Sequence, residues 1–145
     1  MSEPDFWEVT WRFDGEDFDA LMKISEELTL EADSVIFKRG DASDCMYLVL
    51  DGYALAIIVD DQTGEERAVN IIPEGQSFGE VGLLMKQHRT ATVTAGTDLR
   101  VLKITLDTLK SLEQRQPKSA ATLYKKLART LAEQLILNQA SLPRS

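Results

Sequence analysis

One stretch of the sequence, residues 77–93, combines residue types that together favour anion binding. Gly79 and Gly82 have no Cβ, so the backbone beside them can approach a ligand closely. The segment from Val81 to Met85, which begins between the two glycines, has the length of a short helix. The first N–H groups of a helix have no partner within the helix and attract anions. The stretch therefore predicts an anion site.

Two charged side chains add specific chemistry to this stretch. The guanidinium of Arg89 stays charged at any relevant pH and can hold two phosphate oxygens at once. Glu80, nine residues earlier, can accept hydrogen bonds from the hydroxyls of a sugar. Either residue alone is typical of a solvated surface, so the prediction depends on the whole stretch.

The other reactive residue types give no second site. His88 has no Cys, His or carboxylate at metal-ligand spacing, which predicts a solvated loop residue and no metal. Ser77 and Thr90 lack the neighbouring base that a nucleophile needs. Cys45 borders an apolar run and is expected to lie in or near the core. We therefore expect no catalytic residues, no cofactor and no enzymatic activity.

Short β segments with turns between them surround the stretch from residue 34 to 104. Asp51-Gly52 and Gln62-Thr63-Gly64 are strong turn sequences. Many short strands separated by such turns favour a sandwich or barrel. The predicted strands are Val35–Phe37, Met46–Leu50, Tyr53–Val59, Ala68–Ile72, Thr90–Ala95 and Leu99–Ile104.

Helical patterns flank the strands on both sides. Asp14 to Leu28 carries apolar residues at helical spacing, and we count residues 1–33 as a helical lead-in. Residues 105–142 are expected to form C-terminal helices, the last beginning at Pro117. Its leucines recur every fourth residue, which fits a helix packed on the barrel or one that also pairs with its copy in a homodimer. They are Leu123, Leu127, Leu131 and Leu135.

Length and charge limit the classes of protein that fit. The 145 residues suffice for one domain. The net charge is −8, but residues 1–102 carry −13 and residues 103–145 carry +5. A strongly acidic body disfavours general binding to nucleic acid or anionic membranes. With one cysteine, no secretory signal and no long apolar run, we expect a cytoplasmic protein.

The sequence resembles the cyclic-nucleotide-binding domains, which occur in cAMP- and cGMP-dependent kinases, cyclic-nucleotide-gated channels and the bacterial catabolite activator protein. Phe78-Gly79-Glu80-x-x-Leu83-Leu84 followed by Arg89-Thr90-Ala91-Thr92-Val93 is similar to the phosphate-binding cassette of that family. Lys38-Arg39-Gly40-Asp41 and Tyr47 to Gly52 are similar to its early strands and turn. The similarity extends over about residues 30–140.

This resemblance implies a fold that is mainly β with flanking α. It would be an eight-stranded jelly-roll-like β-barrel, with the cassette at 78–93, an N-terminal helix and two C-terminal helices, in a single domain spanning 1–145. Arg89 would pair with the cyclic phosphate and Glu80 with the ribose 2′-hydroxyl. The implied ligand-binding residues are Gly79, Glu80, Val81, Gly82, Arg89, Thr90 and Ala91.

The implied function is that of a regulatory domain in signal transduction, a cAMP or cGMP sensor that signals through its C-terminal helices to an unknown downstream protein or to its own dimer. Thr90 resembles a residue of cGMP-responsive members, although some cAMP-responsive channels share it. Thr90 therefore does not distinguish cAMP from cGMP as the ligand. Because no helix-turn-helix follows before Ser145, we expect no contact with DNA, and none with membranes. The alternative is a repurposed scaffold of this fold that binds a protein partner and no nucleotide.

Overall fold

A computed structural model describes residues 15–141, and the side chains of residues 15–136. The chain divides into two units. A β unit spans Ser25–Thr108, and a helical unit combines the segment before it with the segment after it. The sequence also predicts that Trp7, Trp11 and Phe13 seal the flank of the barrel, but these aromatic residues lie outside the described residues.

The β unit consists of eight strands and one short helix. Antiparallel pairing arranges the strands in two four-stranded sheets, with the orders β1-β8-β3-β6 and β2-β7-β4-β5. This jelly-roll-like arrangement of two sheets confirms the predicted fold class, although the barrel is not closed. The strands are β1 Glu26–Leu30, β2 Val35–Phe37, β3 Cys45–Asp51, β4 Ala54–Val59, β5 Glu66–Ile72, β6 Ser77–Phe78, β7 Thr92–Ala95 and β8 Leu99–Thr105.

The end of the lead-in was predicted incorrectly. The helix stops at Ile24, and the residues from Glu26 form β1, which pairs with β8. Leu28 fits both periodicities, because it is four residues from Ile24 and two from Leu30. In the structure Leu28 and Leu30 both pack against the β core, so the alternating pattern of a strand prevails. The two-residue strand β6 was also not predicted.

The helical unit contains α1 Gly15–Ile24, most of α3 Leu106–Arg115 and all of α4 Pro117–Ser141, while the short helix α2 Glu80–Met85 belongs to the β unit. Within the helical unit, Ser119 Oγ donates a 2.5 Å hydrogen bond to Asp17 Oδ1, a residue 102 positions earlier. Tyr124 on α4 donates to Glu113 on α3. Among residues 15–141, no helix has both the length and the apolarity that crossing a bilayer requires.

The core of the β unit is formed by side chains from both sheets. Three aromatic rings lie on one side of it: Phe37, Tyr47 and Phe78 have ring centroids 5.2–6.3 Å apart. The sequence places these rings on three different strands, and β3 pairs with β6 so that Tyr47 lies opposite Phe78. This aromatic cluster lies directly beside the predicted site.

Candidate functional site

The predicted cassette folds as a strand, a tight turn and a short helix. β6 ends at Phe78, and Gly79 adopts a φ of 82° before α2 begins at Glu80. That left-handed conformation favours glycine because a Cβ would strain it. The helix ends at Met85, and the next residue, Lys86, caps it by donating its N–H to the carbonyl of Gly82 at 3.1 Å. The expected short helix is therefore present, one residue longer than predicted.

Glu80 lies inside the protein rather than on its surface. Only 2% of it is exposed, and Ser77 Oγ donates a 2.6 Å hydrogen bond to its Oε1. A carboxylate can accept about four hydrogen bonds, so one serine hydroxyl leaves most of this capacity unused. Burying such a group is costly unless it is hydrogen-bonded. Glu80 can therefore accept further hydrogen bonds from a polar ligand.

Arg89 is the second buried charge, with 6% of the residue exposed. Its Nη1 donates to the carbonyl of Gly79 at 3.1 Å, and its Nη2 donates to Cys45 Sγ at 3.3 Å. Its Nε is buried and has no hydrogen-bond partner among the described residues. Arg89 forms no ion pair with any carboxylate of residues 15–141. Its positive charge thus lacks a counter-ion within the described part of the chain.

The two glycines of the cassette allow the guanidinium to lie against the first turn of α2. A Cβ on Gly79 would lie 2.5 Å from Arg89 Nη1. A Cβ on Gly82 would lie 2.0 Å from Ser43 Oγ and 3.0 Å from Arg89 Nη1. Both distances to the guanidinium show that the cation lies next to the unpaired N–H end of the helix, where an anion is favoured.

The backbone of Arg89 is fixed by the turn that follows β2. Its N–H donates to the carbonyl of Asp41 at 2.7 Å, and its carbonyl accepts from Gly40 N–H at 2.8 Å. The Asp41 carboxylate closes the turn by accepting from Lys38 N–H at 2.9 Å. The turn formed by Lys38-Arg39-Gly40-Asp41 therefore fixes the backbone position of Arg89, whose side chain is buried.

The remaining predicted site residues differ in how far they are exposed. Gly82 is buried, Val81 and Ala91 are half-buried, and Thr90 is exposed. His88 is exposed, as expected, and Cys45 is a buried free thiol. No group of three or more metal-binding side chains occurs within the described residues.

Four residues beside the site were not predicted. Ser77 contacts Glu80, Ser43 lies over Gly82, and Phe37 and Cys45 contact Arg89. Ser77 lies three residues before Glu80, so its role could have been inferred from the sequence. Phe37 and Cys45 lie more than 40 positions before Arg89 and become its neighbours only when the sheets form.

Tyr47 adds a neutral hydroxyl to this environment. Burial raises the pKa of Tyr47 well above its ordinary value of 10.0, and a hydrogen bond with Cys45 raises it further. The phenol therefore stays protonated throughout the physiological range. Tyr47 therefore adds no negative charge that would cancel the charge of Arg89.

Comparison with known proteins identifies relatives of this chain. The sequence model of the cyclic nucleotide-binding domain matches residues 27–116. Patatin-like phospholipase domain-containing protein 7 of Rattus norvegicus is 33% identical over 96 residues, which are 66% of this chain and 7% of the relative. The chain thus spans only a small part of the curated relatives it matches.

Solved structures give the same result for the fold. The catabolite activator protein of Thermus thermophilus is 27% identical, with a TM-score of 0.71 over 94% of this chain and 63% of that one. A cyclic nucleotide-binding domain from Methylobacillus flagellatus KT superposes with a TM-score of 0.78 over 94% of this chain and 79% of that one. Its 18% identity supports the fold alone.

Proposed function

This chain belongs to the cyclic nucleotide-binding domain family, and on that premise we propose that it is a non-catalytic sensor that holds cAMP or cGMP in its cassette. One observation carries the proposal: Arg89 is a buried cation with no carboxylate partner among the described residues. Leaving a buried charge uncompensated is costly, so the site favours an anion that enters from outside.

The cassette offers each part of a cyclic nucleotide a complementary group. We propose that Arg89 and the first N–H groups of α2 bind the cyclic phosphate. Glu80 would accept from the ribose 2′-hydroxyl with the capacity that Ser77 leaves free. The exposed Thr90 lies next to Arg89 in sequence, where its hydroxyl is available to a purine.

The ligand would act by changing the relative populations of two conformations of the protein, and it would not itself react. A nucleotide that binds one arrangement of the protein more tightly shifts the equilibrium towards it. We propose that α4 transmits this shift to a partner or to a second copy of the chain. In α4, Leu123 and Leu127 are buried, whereas 60% of Leu135 and 64% of Ile136 are exposed. The second half of the helix therefore offers an apolar surface.

The similarity to a phospholipase supports regulation and not hydrolysis. It covers 7% of that relative, and the cyclic nucleotide-binding model already matches residues 27–116 of this chain. The matched part is therefore the regulatory type of domain. We propose that this chain binds its nucleotide without turnover.

Calorimetric titration with cAMP and cGMP tests the proposal. We expect wild-type protein to bind one of them and Arg89→Ala to lose about 100-fold or more in affinity, because a charge-assisted bidentate contact is removed. Arg100→Ala is the matched control. Arg100 is an exposed arginine paired with Glu27 at 2.6 Å on the sheet of β1 and β8, and its removal should leave binding unchanged.

Two results would contradict the proposal. If folded, ligand-free wild-type protein releases no heat with either nucleotide, the chain is a repurposed scaffold that binds a protein. If Arg100→Ala weakens binding as much as Arg89→Ala does, the anion lies outside the cassette.

A further inference from the structure

The guanidinium of Arg89 lies against an aromatic ring. Its Cζ is 4.0 Å from the centroid of the Phe37 ring and 5.9 Å from that of Tyr47. A cation within about 6 Å of a ring face is attracted by the ring's quadrupole, and the attraction is strongest where water is excluded. Phe37 and Arg89 are both buried, so this contact is of the strong kind.

A ring and a carboxylate would hold the cation with different consequences. A carboxylate would cancel the charge of Arg89 and compete with an incoming phosphate for its N–H groups. A ring face attracts the cation without accepting its in-plane N–H groups and without cancelling the charge. The hydrogen-bonded partners of Arg89 are likewise not carboxylates: they are the carbonyl of Gly79 and the sulfur of Cys45.

We infer that Phe37 is a positioning residue for phosphate recognition, whose ring fixes the guanidinium of Arg89 while leaving its charge for the anion. This rests on the proposed function, in which Arg89 binds the cyclic phosphate. The ring thereby compensates part of the cost of a buried, unpaired cation before the nucleotide arrives. Binding then requires less reorganisation, which raises affinity.

The first test needs no ligand. In NMR spectra of nucleotide-free protein, the ring current of Phe37 should shift the Arg89 Nε–H signal away from those of exposed arginines, with Arg89→Lys providing its assignment. Phe37→Leu, which keeps an apolar side chain but removes the ring, should return the signal towards the ordinary range. An unshifted Arg89 signal in the wild-type protein would overturn the inference even if Phe37→Leu failed to fold.

The second test measures affinity. Phe37→Leu should weaken binding of the nucleotide by about 3- to 30-fold, the range expected for a cation–π contact. Phe37→Tyr keeps a ring and should restore binding to within about 2-fold of wild type. Val101→Ala removes volume from the same core cluster but leaves both Phe37 and Arg89 in the protein, so it controls for lost packing and should bind normally.

The outcomes separate this inference from the proposed function. If Phe37→Leu binds like wild type, or if Val101→Ala weakens binding equally, Phe37 has only a packing role. If wild-type protein binds neither nucleotide, the proposed function fails, while the Arg89 signal still decides whether the ring positions the cation.

Discussion

At the scale of single residues, the site is defined by two buried charged residues, Glu80 and Arg89, that form no ion pair with each other. Arg89 donates to a backbone carbonyl and a cysteine sulfur, and Glu80 accepts from a serine hydroxyl. A protein that used these residues only for stability would gain more by pairing them, since isolated buried charges are costly. Their separate placement fits the proposed ligand, which has an anionic part and a hydroxyl-bearing part.

Glu80→Gln tests the role of the carboxylate. We expect it to reduce the binding free energy of cAMP or cGMP by about 1.5–3 kcal/mol, the contribution of a hydrogen bond to a charged group. The same change should have little effect on the 2′-deoxy analogue, which has no hydroxyl to donate. Titrations of both proteins with both ligands form a double-mutant cycle. Equal losses with the two ligands would show that Glu80 does not contact the ribose.

At the scale of elements, most of the fold could be predicted because its strands are separated by strong turns. Asp51-Gly52 ends β3, and Pro117 begins α4, as the sequence indicates. Two parts could not be predicted. Leu28 satisfies helical and strand spacing equally, and only its pairing in β1 with β8 decides between them. β6 is two residues long, too short for a periodic signal.

In the site, too, contacts between residues close in sequence could be predicted, whereas contacts between distant residues could not. The cassette residues from Gly79 to Arg89 lie within one segment, so their association could be predicted from the sequence. The neighbours of Arg89 could not, because Phe37 comes from β2 and Cys45 from β3. These residues meet only through packing between distant parts of the chain, which no local sequence pattern predicts.

The contact between α3 and α4 should be sensitive to alkaline pH. Burial, with the hydrogen bond to Glu113, raises the pKa of Tyr124 to about 12 from its ordinary value of 10.0. Unfolded protein therefore loses this proton at a lower pH than folded protein does. The stabilisation is complete below pH 10.0 and is lost as the pH rises towards 12.

Tyr124→Phe provides the measurement. Its stability to denaturant should fall less steeply than that of wild type between those pH values, and the difference between the two proteins isolates Tyr124 from Tyr47. Tyrosinate absorbance should show one fewer group titrating near the upper end of the range. Identical pH profiles would show that the phenol is not held by Glu113.

At the scale of the whole molecule, charge and apolar surface are distributed unevenly. The acidic excess lies before residue 103 and the basic excess after it. The basic part includes α4, whose buried Leu123 and Leu127 are followed by the exposed Leu135 and Ile136. An apolar stripe that leaves the interior halfway along a 25-residue helix is suited to a second copy of the same helix.

Light scattering coupled to size-exclusion chromatography tests whether two copies of the protein pair through this stripe. We expect wild-type protein to have twice the mass of one chain and Leu135→Lys to have the mass of one chain, since a charge would be buried in the apolar contact. Ala121→Lys places the same charge at an exposed position of the same helix and should stay dimeric. A wild-type monomer at all concentrations would exclude the dimer.

The hydrogen bond between Ser119 and Asp17 has a consequence for how the chain folds. It joins residues 102 positions apart, and the whole β unit lies between them. Closing so long a loop costs more entropy than closing the short turns between strands, and distant contacts form slowly. We expect the strands to assemble first and to bring α1 and α4 together afterwards. The contact of α4, the helix proposed to report the nucleotide, with α1 would then be the last part of the protein to form and the first to open.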